Sequence, residues 1–158
     1  MKDINNTFKE KLYECNKHIQ KIEDAKEYLK NKIPFTVEEY MQIDKITSSF
    51  IDQLIYRFLK LQDTIGESIL KSILILSHEN VKKMTFIDML NRFEELELLD
   101  KELWLSLREL RNDIAHEYSF NQQEVVENIN TIYDKSDKLI EIYKQLKHYI
   151  DTKFNILN

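Results

Sequence analysis

Phe8, Leu12, Cys15, Ile19, Ile22 and Tyr28 fall at helical spacing and predict a first helix from about Ile4 to Asn31. It stops before Pro34, whose ring pushes Ile33 out of the α region. Thr36 with Glu39 three residues on is a capping-box signature. From there the helical pattern holds to about Ser77, through Tyr40, Ile43, Ile46, Phe50, Leu54, Phe58, Leu61, Ile65, Ile69, Ile73 and Leu76. A run of that length is too long for one straight helix. Gly66 marks either a bend or a close helix crossing where a side chain would not fit. His78-Glu79-Asn80 reads as a connector. Thr85 with Asp88 then caps a short helix, Phe86 to Leu98, and Asp100 caps the next, with Leu103, Leu107, Leu110 and Ile114 as its stripe. Asn121 with Glu124 opens the last helix, striped by Val125, Ile129, Ile132, Leu139, Ile142, Leu146 and Ile150.

Short loops between long helices favour an all-α fold, an antiparallel up-and-down bundle with a four-helix core over 36–150 and one or two extra helices. The segment 1–33 can be an appendage to that core. No repeat, low-complexity tract or shift in composition divides the chain, so 1–158 reads as a single domain.

Composition strengthens this picture. The 158 residues include one glycine and one proline, too few turn-formers for a sandwich, a barrel or a doubly wound sheet. Basic residues number 23 and acidic ones 28, a net charge of −5, which disfavours bulk attraction to nucleic acid or an anionic membrane. Any anion site must therefore be local. A single cysteine, Cys15, excludes an intramolecular disulfide and fits a reducing compartment. The polar opening MKDINNTFKEKLYE is not a signal peptide, and the longest apolar stretch, Ile69 to Leu76, is broken by Lys71 and Ser72. The expectation is a soluble, cytoplasmic protein with no membrane partner.

Metal chemistry finds little support. His18, His78, His116 and His148 are scattered, and Cys15-x-x-His18 has no second pair to complete a tetrahedral site. The sequence carries no glycine-rich phosphate loop or nucleophile elbow. The segment from Leu107 to Tyr118 is different: Arg111, Asn112, Asp113, His116 and Tyr118 crowd a guanidinium, an amide, a carboxylate, an imidazole and a phenol together. On an ideal helix Arg111 and Tyr118 lie about 20° apart in azimuth, and His116 about 140° from Arg111. Arg111 and His116 converge only if the helix frays at His116, or if two copies of the segment meet across a two-fold axis. The cluster suits phosphodiester chemistry on RNA: arginine is shaped to hold phosphate, and histidine moves a proton near neutral pH. An ordinary exposed helix face, with Tyr118 covering the core, would carry the same letters.

At this segment the chain resembles the HEPN superfamily of small all-α domains. Arg111 is followed by the polar Asn112, and His116 closes an Arg-x-x-x-x-His spacing that Tyr118 extends to the R-x-x-x-x-H-x-Y form. That longer form is similar to the HepT-like toxins of HepT/MntA toxin–antitoxin systems, and the resemblance spans roughly Thr36 to Ile150. It implies a metal-independent endoribonuclease toxin of a type VII-like pair, without cofactor, cutting RNA, tRNA among the candidates, at a composite homodimer site. On that resemblance Arg111 holds the phosphate, His116 is the general acid or base, and Asn112 and Arg108 support the site. Tyr118 would be the residue that an MntA-like nucleotidyltransferase antitoxin modifies with AMP. The related nucleotidyltransferase substrate-binding proteins carry a similar run, and imply the alternative of a non-catalytic binding subunit.

Outside the motif, Trp104 reads as a packing or dimer-interface residue rather than a base-stacking platform. Arg57, Lys60, Gln62 and Asp63 sit on the polar side of an apolar helix, and Lys82-Lys83 is a short basic pair within reach of an RNA backbone. His18 and His148 read as structural or solvent-facing.

Overall fold

The computed structural model describes residues 2–115 and 120–154, and the regular elements among them are all helices, with no strand. The helices are α1 (Lys2–Leu29), α2 (Val37–Met41), α3 (Lys45–Thr64), α4 (Leu70–Leu76), α5 (Phe86–Glu95), α6 (Lys101–Ala115) and α7 (Gln122–Lys153). A π-helical segment, Ile65–Ile69, joins α3 to α4 without a break, and a 3₁₀ turn, Val81–Lys83, precedes α5. Among the described residues no helix is long and apolar enough to cross a membrane.

The capping residues expected from the sequence do cap. Thr36 and Glu39 form a capping box on α2, and Thr85 and Asp88 form one on α5. The Asp100 carboxylate accepts from the N–H groups of Glu102 (3.0 Å) and Leu103 (3.2 Å) at the start of α6, and Asn121 accepts from Glu124 at the start of α7. The long pattern from Thr36 breaks earlier than expected. Gln42 ends α2, and Asp44 starts α3 by accepting the Thr47 N–H at 2.7 Å. That interruption leaves Ile46, counted in the apolar stripe, largely exposed.

Two helices end without glycine. After α4 and α5, His78 (φ 61°) and Glu97 (φ 57°) take left-handed conformations. In each case the following N–H reaches back to the helix: Glu79 to the Leu74 carbonyl and Leu98 to the Phe93 carbonyl, both at 3.0 Å. These are Schellman closures built on residues with a Cβ. The closure after Phe93 stops α5 at Glu95, three residues short of the expected Leu98.

One buried apolar cluster draws on every long helix. α1 lies against α3, and α7 packs on α3, α6 and α1. The first helix, which the sequence allowed as an appendage, sends Phe8, Leu12, Cys15, Ile19, Ile22, Ala25 and Leu29 into that cluster. Polar ties add register. Gln53 donates to the Lys21 carbonyl at 2.8 Å, and Lys26 bonds the Tyr133 carbonyl, Ser136 and Asp137 on α7. The buried Tyr143 hydroxyl donates to the Leu12 carbonyl (3.2 Å) and lies 2.9 Å from Asn16 Oδ1, and burial pushes its titration upward. The segment between α1 and α2 is held by Asn130, whose amide bonds both the N–H and the carbonyl of Phe35 (2.9 and 3.0 Å).

A non-glycine residue in the left-handed region carries a Cβ penalty that glycine avoids, at the cost of extra freedom in the unfolded chain. Glu97→Gly is therefore expected to stabilise the fold by about 0.5–1 kcal/mol, read as a rise of about 2–3 °C in a thermal melt. Glu97→Val should lower the melting temperature.

Candidate functional site

Trp104, Leu107, Leu110 and Ile114 turn one face of α6 into the core. Residues 108, 111 and 112 follow Trp104 at spacings of four, seven and eight, so all four side chains leave α6 within an arc of about 100°. They form one wall of a cleft of about 390 Å3. The opposite wall comes from the end of α3, the π segment and α4: Gln62, Asp63, Gly66, Glu67 and Lys71. Phe86 and Met89, three residues apart on α5, close a third side.

The two main walls meet closely at one point. A Cβ built on Gly66 would stand 3.1 Å from Trp104 Cζ2, tighter than ordinary van der Waals contact. Of the two sequence readings of Gly66, the close helix crossing is the one this distance bears out; the glycine itself lies in a π-helical segment. Trp104 is 1% exposed, as a packing residue should be, and its Nε1 has no hydrogen-bond partner among the described residues. Beside it the buried Gln62 ties α3 to α6. With its amide nitrogen toward α6, it donates to the Leu107 carbonyl (3.1 Å) and accepts from the Arg108 N–H (3.0 Å).

Arg111 is held in a fork. Its Nε donates to Asp63 Oδ1 and its Nη2 to Asp63 Oδ2, both at 2.9 Å. The hydrogen bonds that the guanidinium donates to Asp63 push its titration further up, against the opposing effect of burial. Both side chains are 30% exposed, so the pair adds about 1 kcal/mol or less to stability. Its consequence is orientation. Two N–H groups of Arg111 are committed to Asp63, and the Nη1 edge has no partner among the described residues. Arg108 is exposed, and its Cζ lies 4.7 Å from the centre of the Phe86 ring. Asn112 is exposed at the same wall. Among the described residues the cleft thus holds Arg108, Arg111 and Lys71 against Asp63 and Glu67, an excess of one positive charge.

Of the residues singled out by the motif, Arg108, Arg111 and Asn112 share this cleft. His116 and Tyr118 lie outside the described residues. Of the four polar residues noted on α3, Gln62 and Asp63 line the cleft; Arg57 and Lys60 do not. Those two side chains instead flank the Tyr56 ring at 5.4 and 5.6 Å. Lys82 and Lys83 are exposed on the 3₁₀ turn and form no part of its lining. Glu67, Lys71, Phe86 and Met89 were not anticipated as site residues. They are separated in sequence from the motif, and only the packing of α3, α4 and α5 on α6 brings them to it.

The Cys15 and His18 pair serves other ends. Burial pushes the Cys15 thiol up to about 12, and among the described residues no cluster of three metal-ligating groups is found. His18 faces α3, where Arg57 Nη1 lies 3.1 Å from its Nδ1. The arginine can only donate, so Nδ1 is the accepting, unprotonated nitrogen. His148 is exposed.

No protein-family model, curated protein or solved structure matches the chain.

Two measurements follow from these contacts. Gly66→Ala should gain helix propensity but press on Trp104, so its effect depends on the indole. It is expected to be stabilising in a Trp104→Phe background and less favourable in the wild type, with a coupling of about 1 kcal/mol in a double-mutant cycle. At His18, burial and then the Arg57 charge lower the pKa from 6.5, with Lys60 acting in the same direction and Glu14 against it. The unfolded chain is then protonated first as the pH falls, so stability is full above this value and declines as the pH drops through 6.5. His18→Asn keeps an acceptor for Arg57 but cannot titrate. Denaturant midpoints measured across this window should fall less steeply in that variant.

Proposed function

We propose that this chain is a metal-independent endoribonuclease of the HEPN type, the toxin of a toxin–antitoxin pair. It would work as a homodimer of antiparallel up-and-down helical bundles. The observation that carries this reading is the convergence of Arg108, Arg111 and Asn112 on one cleft, with the Arg111 guanidinium oriented by Asp63 and its Nη1 edge without a partner among the described residues.

In this reading the Nη1 edge of Arg111 binds a bridging phosphate of RNA and stabilises charge that builds on its oxygens. The 2′-oxygen attacks phosphorus, the bond to the 5′-oxygen breaks, and the proton passes from the 2′-hydroxyl to the leaving oxygen. His116 of each protomer is the group that moves protons, one copy accepting and the other donating. Asn112 and Arg108 hold the strand beside them. AMP attached to Tyr118 by a partner nucleotidyltransferase would bring a competing phosphate to the same guanidinium and stop cleavage.

One feature favours a second reading. The cleft carries its own carboxylates, Asp63 and Glu67, and among the described residues a positive excess of one. That balance suits recognition of a single phosphate by a non-catalytic binding subunit of a nucleotidyltransferase.

The two readings separate in a cleavage assay with end-labelled RNA. On the nuclease reading the purified chain cuts RNA in the presence of a chelator. Arg111→Ala and His116→Ala should each slow it by about 100-fold or more. Equal rates in all three proteins would remove the nuclease assignment, and so would sedimentation as a monomer at the assay concentration. Co-expression with the nucleotidyltransferase should add AMP-sized mass that Tyr118→Phe abolishes.

A further inference from the structure

Arg108 is a cation of the cleft that no carboxylate among the described residues restrains. It is exposed and forms no ion pair among the described residues, whereas Arg111 is forked to Asp63. It is restrained instead by an aromatic ring. Its Cζ sits 4.7 Å from the centre of Phe86, whose own side chain is half-buried in the cleft wall. The Thr85–Asp88 capping box fixes the start of α5 and with it the position of Phe86. A guanidinium is planar with two faces, so an exposed arginine beside one ring can also stack on a second π system.

Arg108 and Arg111 are three residues apart and about 60° apart around α6, so both side chains line the same wall of the cleft. The cleft, at about 390 Å3, has room for one nucleotide, and Asp63 and Glu67 discourage a second phosphate within it.

From this arrangement we propose that Arg108, backed by Phe86, is a stacking platform for a single nucleobase, so that the cleft takes one nucleotide unit with its phosphate on Arg111. The proposal rests on the reading of Arg111 as the phosphate ligand. It adds a base-recognition role for Arg108 and a positioning role for Phe86. Stacking on a guanidinium plane is tolerant of base identity, because every base has a π face, and it separates nucleotides from sugar phosphates.

The test compares adenosine 5′-monophosphate with ribose 5-phosphate, which shares the phosphate and lacks the base. Binding to the full chain is read by calorimetry and by quenching of Trp104, the chain's one tryptophan, which lines the same cleft. The nucleotide is expected to bind about tenfold more tightly than the sugar phosphate. In Arg108→Lys, which keeps the charge and loses the plane, the gap should shrink to about twofold. Phe86→Leu, which keeps an apolar wall and loses the ring, should shrink it as well. Arg111→Ala should weaken both ligands together.

Equal binding of the two ligands by the wild type would overturn the proposal, as would a gap unchanged in Arg108→Lys. A gap in a chain that cleaves no RNA supports the stacking platform and removes the nuclease reading alone. Cleavage dependent on Arg111 and His116 without any gap removes the platform alone.

Discussion

The contact between Gly66 and Trp104 sets how close α6 comes to the α3–α4 run, and the cleft depends on that distance. With no side chain on Gly66, the indole can lie where a Cβ would be 3.1 Å away. A larger residue there would push α6 outward. Gln62 lies one turn before the glycine and bonds the backbone of Leu107 and Arg108, so it locks the two helices at the same level. Asp63 then stands within 2.9 Å of Arg111. The chain's one glycine, its one tryptophan, a buried amide and a forked ion pair therefore form one connected assembly.

That assembly also sets how the charged side chains of the cleft are held. A free arginine on a helix surface samples many rotamers, and ordering it around a ligand costs conformational entropy. Asp63 meets that cost in the folded state for Arg111, and Phe86 does so for Arg108 by packing rather than by charge. The two guanidiniums are consequently held in different ways, one by a carboxylate and the other by an aromatic ring. A net charge of −5 leaves room for a local excess of cations: among the described residues the cleft lining carries three cationic side chains against two carboxylates. Long-range steering of a polyanion by the whole molecule would need the opposite balance.

Much of the fold was legible before any coordinates. Helix starts were clearest, since Thr36, Thr85, Asp100 and Asn121 announce themselves by side chains that accept backbone N–H groups. Helix ends were less clear. His78 and Glu97 adopt the left-handed conformation usually marked by glycine, so nothing in their identity signals the stop. The start of α3 at Asp44 was hidden because apolar residues continue on both sides of it at intervals close to helical. Within the site, Arg108, Arg111 and Asn112 were visible as neighbours on one helix. Asp63 was noted only as part of a polar face, and Glu67, Lys71, Phe86 and Met89 carried no local signal at all.

The sequence alone determined the helical class, the α6 face that carries the candidate site and the need for any anion site to be local. Each follows from short-range rules: the period of the apolar residues, the chemistry of caps, the scarcity of glycine and proline, and the charge count. Tertiary structure decided which wall α6 would face, that Arg111 would be oriented by Asp63, and that Arg108 would rest on Phe86. Those pairings join residues 48 and 22 positions apart, and they depend on how closely two helices approach, a distance that no local pattern encodes.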